Sequence, residues 1–371
     1  MLLERVGSSP TTGTGHPLKA RAALASRGAR DRCVHSGSAR AFGKAFVLDL
    51  FRLAHLNDID AIAAFTAEAE AGLTTVPRTR EGVERYVAAS RAFLDGKSDA
   101  NRLLFVVERD GRVVGISGII PRLGVERPFY SFKRSRHARQ SSQLDLRIEY
   151  ETLQLTTDFD GWTELASIYL APEARGRGVA RLLSLGRLAF VEAHRERFAR
   201  KLMADIRGWV DETGVSPFWQ HVTSQFIPTD FSVADRLSAS DGRFIMELLP
   251  SLPILMNLLP EAARHCAGRP HDVSRGAMNL LVGAGFESTE LCDIFDGGPA
   301  IECRADRTLI ARTVREMTEF GTGPQRLIAF AGEGKDFRAT LANGELASGR
   351  VDDAARLLGP MRIALAQDRR R

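Results

Sequence analysis

The sequence predicts an α+β fold with a mixed, largely antiparallel sheet and a small β-rich region at the C-terminal end. Two helical patterns, at 57–69 and 80–96, precede the first long apolar runs. Two β-rich runs then flank Asp110-Gly111, a dipeptide that strongly favours a hairpin turn. A later strand, ending near Leu170, passes through a glycine-rich turn directly into a helical pattern.

The remaining elements follow in a mixed order along the chain. Strands are expected on both sides of the hairpin turn and at 146–155, 163–172 and 201–210, and helices at 179–199 and 216–226. The Arg-rich stretch 128–143 is interpreted as a polar excursion between strands. The glycine turn lacks the G-x-G-x-x-G spacing, so a dinucleotide-binding site fits poorly.

Composition divides the chain into three expected segments. Residues 1–44 lack hydrophobic periodicity and are expected to form a disordered arm, with a targeting segment or a misassigned start as alternatives. A folded domain is expected at 45–320, and a β-rich module with a basic tail at 321–371. These boundaries separate a basic arm from a nearly neutral body.

Net charge gives no indication of a nucleic-acid partner. The first 45 residues carry eight Lys or Arg and two acids, a net +6, while the whole chain carries +5, which leaves −1 for the rest. The four cysteines show no CxxC spacing, so a metal site is not expected and a reducing, cytoplasmic setting fits best. No run of eighteen apolar residues indicates a membrane span.

The glycine turn at 175–180 has the chemistry of an anion site. Its glycines permit left-handed backbone conformations, and the helix that follows offers unpaired N–H groups and a positive dipole end. Together these features suit a pyrophosphate, and flanking arginines add charge-assisted contacts. A strand-to-helix turn with solvent-facing arginines is the alternative interpretation.

The pattern [Q/R]-x-x-G-x-[G/A] after a strand resembles the coenzyme A-binding motif of the GNAT-like acyl-CoA N-acyltransferase fold. Further stretches, among them "IRGWVDE", "SPFW" and "DIFDGGP", resemble the arginine N-succinyltransferase family over residues 47 to 366. The resemblance implies transfer of a succinyl group from succinyl-CoA to the α-amino group of L-arginine, or of ornithine, in arginine catabolism. It also implies a homodimer or a hetero-oligomer with a paralogous subunit, with no nucleic-acid or membrane partner.

The resemblance also indicates which residues bind the cofactor and which take part in the reaction. The implied cofactor-binding residues are Ile168, Tyr169, Leu170, Arg175, Gly176, Arg177, Gly178, Val179 and Ala180. His271 matches the histidine that the family uses as proton donor, although a surface histidine at a helix start would look the same. Asp158 and Glu164 flank the strand before the turn, and either could remove the proton of the amine.

Candidates for binding the acceptor lie near the "RGWVDE" motif. Arg207 offers a cation for an α-carboxylate, and Asp211 and Glu212 offer carboxylates for a guanidinium, although a solvated turn is an equal alternative. A cation for the succinyl carboxylate could come from 131–139, but such runs are more often solvated.

Two other functions remain open because the chain has Leu252 and Leu255 where family members commonly carry a histidine and an aromatic residue. One is an enzyme of the same fold with another acyl-CoA and amine. The other is a non-catalytic acyl-CoA-binding subunit of a heteromeric enzyme.

Overall fold

The computed structural model of the chain describes residues 49–68, 76–97, 101–176, 178–314, 326–331, 337–342 and 363–366. Its strands are β1 Leu50–Leu53, β2 Leu103–Arg109, β3 Arg112–Ile119, β4 Ser131–Ser141, β5 Leu146–Thr156, β6 Thr163–Glu164, β7 Ile168–Leu170, β8 Lys201–Asp205, β9 Ile254–Leu255, β10 Glu287–Asp293, β11 Pro299–Arg304, β12 Arg326–Ala331, β13 Phe337–Ala342 and β14 Ile363–Ala366. Its α-helices are α1 Ile59–Glu68, α2 Arg80–Leu94, α3 Val179–Ala193, α4 Pro217–His221, α5 Phe231–Ser240, α6 Arg243–Leu248, α7 Glu261–Cys266, α8 Arg275–Gly283 and α9 Leu309–Thr313.

The strands form two sheets, in the orders β14-β12-β13-β1-β2-β3-β7 and β6-β8-β11-β10-β4-β5-β9. Pairing is antiparallel except between β6 and β8, so the prediction of a mixed, largely antiparallel sheet is confirmed. The predicted hairpin turn is also confirmed, because Asp110 and Gly111 both have positive φ between β2 and β3.

The prediction for 128–143 is wrong, because most of that stretch is β4. This strand pairs with β5 over its whole length, from Ser131 opposite Thr156 to Ser141 opposite Leu146. Most of its distal half is exposed. Without a buried face, that half has no apolar alternation to indicate a strand.

The strands of the predicted C-terminal module extend the first sheet. Phe51 of β1 lies opposite Ala339 of β13, which in turn pairs with β12. The arm at 1–44 lies outside the described residues, and the division of the chain into domains stays a prediction.

Helix α3 packs on the first sheet and forms the largest core with it. Its face toward the sheet carries Leu182, Leu183 and Phe190, all fully buried, and Phe190 packs edge-on against Phe105 of β2. This packing fixes the start of α3, and therefore the glycine turn, against the end of β7.

Candidate active site

The segment 163–170 belongs to both sheets and opens a gap between them. Its first half, β6, runs parallel to β8, with Glu164 opposite Met203. Its second half, β7, pairs instead with β3, where Ile168 lies opposite Ser117, and β7 is the last strand of that sheet in the described part of the chain. The chain therefore leaves β8 after Leu165, and β7 and β8 diverge.

A local distortion at Ala166 and Ser167 produces this divergence. Ser167 has a φ of 45°, a left-handed conformation that is costly for a residue with a side chain. The carbonyl oxygen of Ala166 accepts two hydrogen bonds, from Gly118 N and from Arg187 Nη1, both at 2.9 Å. Arg187 is only 2% exposed, and it anchors the point where the strands separate.

Strand alternation directs two backbone N–H groups into the gap. Ala171 N donates to Val114 O on the β3 side at 3.0 Å. Because successive N–H groups of a strand point to opposite edges, those of Leu170 and Ile168 point away from β3. The gap therefore offers donors along one wall, as an unpaired strand edge does.

The glycine turn lies at the end of this wall. Gly176 and Gly178 have φ values of 80° and 83°, and Gly178 is the N-cap of α3. Val179 is buried in the core, so only its backbone can meet a ligand, whereas Arg175 is exposed. The structure therefore brings most of the predicted cofactor-binding residues to one place, while Arg177 lies outside the described residues.

Glu164 is a buried carboxylate beside the gap. It is 6% exposed, and it is flanked by Met203 of β8 and by Ile120, which forms a bridge with it just after β3. Burial raises the pKa of Glu164 to about 7, and the cations of three arginines limit the rise; these are Arg102, Arg187 and Arg127. A carboxyl group with this pKa can accept a proton near neutral pH.

Asp158, the other predicted base, has a different environment. It is exposed at the end of β5, where Thr156 Oγ1 and Lys133 Nζ donate to its carboxylate, the latter at 2.9 Å. These hydrogen bonds lower the pKa of Asp158. A carboxylate that holds its charge so well is a weak base, whereas Glu164 can take up a proton near neutral pH.

Arg207 and His271 are brought together beyond the end of β8. Gly208 and Pro270 form a bridge, and His271 N donates to Arg207 O at 2.8 Å. Val273 N donates to His271 Nδ1 at 3.2 Å, so in the neutral ring the proton is on Nε2. Burial, and then the Arg207 cation, lower the pKa of His271 below its usual 6.5.

Three carboxylates that the sequence did not indicate as a site support this pair. Asp296 accepts from Gly208 N and Gly298 N, both at 2.8 Å, and Asp205 Oδ1 is buried without a hydrogen-bond partner among the described residues. A Cβ at Gly208 would lie 2.3 Å from Asp296 O, so only glycine permits this approach. Burial, and then charge repulsion within the group, raise the pKa of Asp205 and of Asp293.

Asp211 and Glu212 lie in a tight turn that follows Arg207 by four and five residues. Asp211 Oδ1 accepts from Thr213 N and Val215 N, both at 2.9 Å, and from the Thr213 hydroxyl. These hydrogen bonds lower the pKa of Asp211. The Asp211 carboxylate thus stabilises its own turn, while Glu212 is exposed.

A carboxylate on α5 that the sequence did not indicate, Asp235, is a further candidate for contact with a substrate cation. Burial raises the pKa of Asp235 to about 6, the charge of Asp296 adds to the rise, and the cations of Arg78 and Arg207 oppose it. Asp235 therefore lies in the electrostatic environment of Arg207.

Neither a metal site nor a membrane span is found in the described part of the chain. No group of three or more His, Cys, Asp or Glu residues there could hold a metal ion. None of the described helices is both long and apolar enough to cross a bilayer.

The family model described as "Arginine N-succinyltransferase beta subunit" matches residues 49–310, which include both walls of the gap and His271. This chain belongs to the arginine N-succinyltransferase family. The family that the sequence motifs resemble is thereby confirmed.

Named relatives of this family cover most of the chain. It is 36% identical over 257 residues to arginine N-succinyltransferase subunit beta of Pseudomonas aeruginosa, covering 67% of this chain and 75% of that protein. It is 32% identical over 311 residues to subunit alpha of the same organism, covering 81% of this chain and 92% of that protein. The solved structure of the P. aeruginosa arginine/ornithine succinyltransferase subunit AI superposes with a TM-score of 0.75 at 30% identity, covering 86% of this chain and 98% of that one.

Proposed function

We propose that this protein transfers the succinyl group of succinyl-CoA to the α-amino group of L-arginine, with ornithine as a second acceptor, in arginine catabolism. The observation that carries the proposal is the family match over 49–310. The gap between β7 and β8, which ends at a glycine turn, supports it as the place for the donor.

The donor would lie along β7. Its pyrophosphate suits the N–H groups at the start of α3, and its pantetheine arm suits the N–H edge formed by Leu170 and Ile168. The thioester carbonyl would then lie near Ile168, where a backbone N–H group stabilises the developing oxyanion.

Two side chains would handle protons. Glu164 would take a proton from the ammonium group of the acceptor, and the free amine would attack the thioester carbon. The tetrahedral intermediate would expel the CoA sulfur, to which neutral His271 donates a hydrogen bond through Nε2–H, and this sulfur would take up the second proton of the attacking nitrogen. The products are N-succinylarginine and CoA with a free thiol.

The acceptor would lie toward the end of β8. Arg207 offers a guanidinium for its α-carboxylate, and Asp235 offers a carboxylate for its guanidinium. The alpha and beta subunit names of the two Pseudomonas relatives support assembly with a paralogous chain. A homodimer is the alternative, and light scattering of the purified protein would test for it. A cytoplasmic location is part of the same proposal, which cell fractionation would test.

A thiol-release assay over a matrix of acyl-CoAs and amines tests the reaction. We expect succinyl-CoA with L-arginine to give the highest kcat/KM, with ornithine as the second acceptor. Acetyl-CoA turning over with another amine, and no release with succinyl-CoA and arginine, would refute the proposed substrates. No turnover with any pair would favour a non-catalytic, acyl-CoA-binding subunit.

Binding of coenzyme A tests the glycine turn separately. In Gly178→Ala, a Cβ occupies a left-handed position at the pyrophosphate site, so we expect affinity for CoA to fall about tenfold. Gly111→Ala is the matched control, because Gly111 has a φ of 75° and open space around it, at a hairpin tip. Calorimetric titration that gives equal CoA affinity for both variants would place the pyrophosphate elsewhere.

A further inference from the structure

A cavity of about 400 Å³ is lined mainly by charged side chains, and two of them, Arg102 and Arg127, act electrostatically on Glu164. Its lining includes Arg102, Glu126, Arg127, Tyr130, Asp241 and Arg243. The mixture of three cations and two acids gives the cavity an excess of positive charge. Two of the three cations pair with the two acids, so the excess positive charge belongs to the third cation.

Arg127 is the cation without a partner in this cavity. Arg102 pairs with Glu126 at 3.0 Å, and Arg243 donates three side-chain hydrogen bonds to the Asp241 carboxylate. Arg127 is partly buried, and among the described residues its guanidinium makes no hydrogen bond or ion pair. Burial of an unpaired guanidinium is unfavourable, so this arrangement suits an anion supplied by a ligand.

The position of Arg127 fits the far end of the acyl donor. Its loop is fixed beside the start of the gap, because Leu123 N donates to Trp162 O and Gly161 N donates to Leu123 O, both at 2.8 Å. From the glycine turn inward, the wall of the gap passes from Leu170 to Ile168, and Glu164 lies just beyond it, where β6 pairs with β8. A donor that enters at the turn therefore directs its acyl group toward Glu164 and this cavity.

We propose that Arg127 binds the terminal carboxylate of the succinyl group and so selects a dicarboxylic acyl donor. The inference rests on the proposed function, because it assigns a residue to the donor of that reaction. A guanidinium can hold a carboxylate through two parallel hydrogen bonds, and a methyl-terminated acyl chain would leave the buried cation unpaired. Discrimination against such chains follows from the penalty of leaving that cation unpaired.

The other basic side chains near the donor site are less suitable for binding the succinyl carboxylate, because they already have partners in the protein. Arg134 and Arg136 of β4 both pair with Glu151, and Lys133 pairs with Asp158. Arg187 is committed to the carbonyl oxygens of Ala166 and Leu183. The cation expected within 131–139 for the succinyl carboxylate is thus assigned to a residue just before that stretch.

Equilibrium binding without an amine acceptor tests the assignment. Calorimetric titration would compare succinyl-CoA with butyryl-CoA, which has the same four-carbon chain but a methyl group in place of the carboxylate. We expect wild type to prefer succinyl-CoA by about 10- to 100-fold. Arg127→Ala should bring the ratio close to one through loss of succinyl-CoA affinity, and Arg127→Lys should keep an intermediate preference.

Two comparisons make the outcome unambiguous. Arg122→Ala removes an exposed arginine from the same loop and should keep the wild-type ratio, while unchanged binding of CoA to R127A would show that its fold is intact. A wild-type preference that survives in R127A would overturn the role of Arg127 and leave the proposed function standing. Equal binding of both donors by wild type would overturn both the role of Arg127 and succinyl-CoA as the selected donor.

Discussion

Replacement of Glu164 by glutamine is expected to lower kcat/KM about 10²- to 10⁴-fold, the usual contribution of a positioned base. Glutamine preserves the size of the side chain but cannot accept the ammonium proton. The wild-type pH profile of kcat/KM should rise through about pH 7, the pKa to which burial brings Glu164, and the residual rate of E164Q should lack this rise.

The same substitution should stabilise the protein above neutral pH. The pKa of Glu164 is raised from 4.5 to about 7, so between these values the native state keeps a proton that the unfolded chain releases. The free energy of unfolding of wild type therefore falls as pH rises through this window, whereas glutamine stays neutral. At pH 8.5 we expect E164Q to be more stable by up to about 3 kcal/mol, with little difference at pH 5.

Urea unfolding at the two pH values, together with initial rates, measures both effects. Glu290→Gln is the control, because it removes an exposed carboxylate and should alter neither the rate nor its pH dependence. Asp158→Asn distinguishes the two carboxylates that the sequence left open. If D158N lost the activity and the pH-dependent rise while E164Q kept them, Asp158 would be the base.

Local patterns predicted the parts of the fold that depend on neighbouring residues. The Asp110-Gly111 turn and the strand that enters α3 through Gly176 and Gly178 each have a signal within about ten residues, and both lie where the sequence predicted them. Strand β4 had no such signal, because its distal half is exposed and depends on pairing with β5. This half of β4 is therefore a strand because the sheet pairs it with β5, and its own residues carry no pattern that indicates a strand.

The candidate site depends even more than the fold on contacts between residues that are distant in the sequence. Glu164 was one of two equal candidates in the sequence, since burial by neighbouring strands, and not the residue type, sets its pKa. Arg207 and His271 are far apart along the chain and meet only through the bridge between Gly208 and Pro270. The unpaired state of Arg127 could not be predicted either, because it depends on which acids the neighbouring arginines take.

Replacement of His271 by alanine is expected to lower kcat about 10²- to 10⁴-fold, because the leaving sulfur loses its donor. The form of the imidazole that acts can be derived from its contacts. Val273 N donates to Nδ1, and full protonation of the ring would break that hydrogen bond. Burial and Arg207 oppose protonation as well, so the neutral ring donates through Nε2–H.

The pH dependence of kcat and a comparison of two substitutions test whether the neutral ring of His271 is the donor. A reaction that needed the imidazolium ion would slow as pH rises through the pKa of His271, which burial and Arg207 lower from the usual 6.5. Donation from the neutral ring instead leaves kcat constant from pH 7.5 to 9, above the rise due to Glu164. His271→Gln keeps an N–H donor of similar reach, so we expect it to recover about tenfold of the activity lost in H271A. Equal rates for H271A and wild type would show that His271 takes no part in the reaction. A kcat that falls as pH rises through the pKa of His271 in wild type but not in H271A would show that the charged ring is the donor.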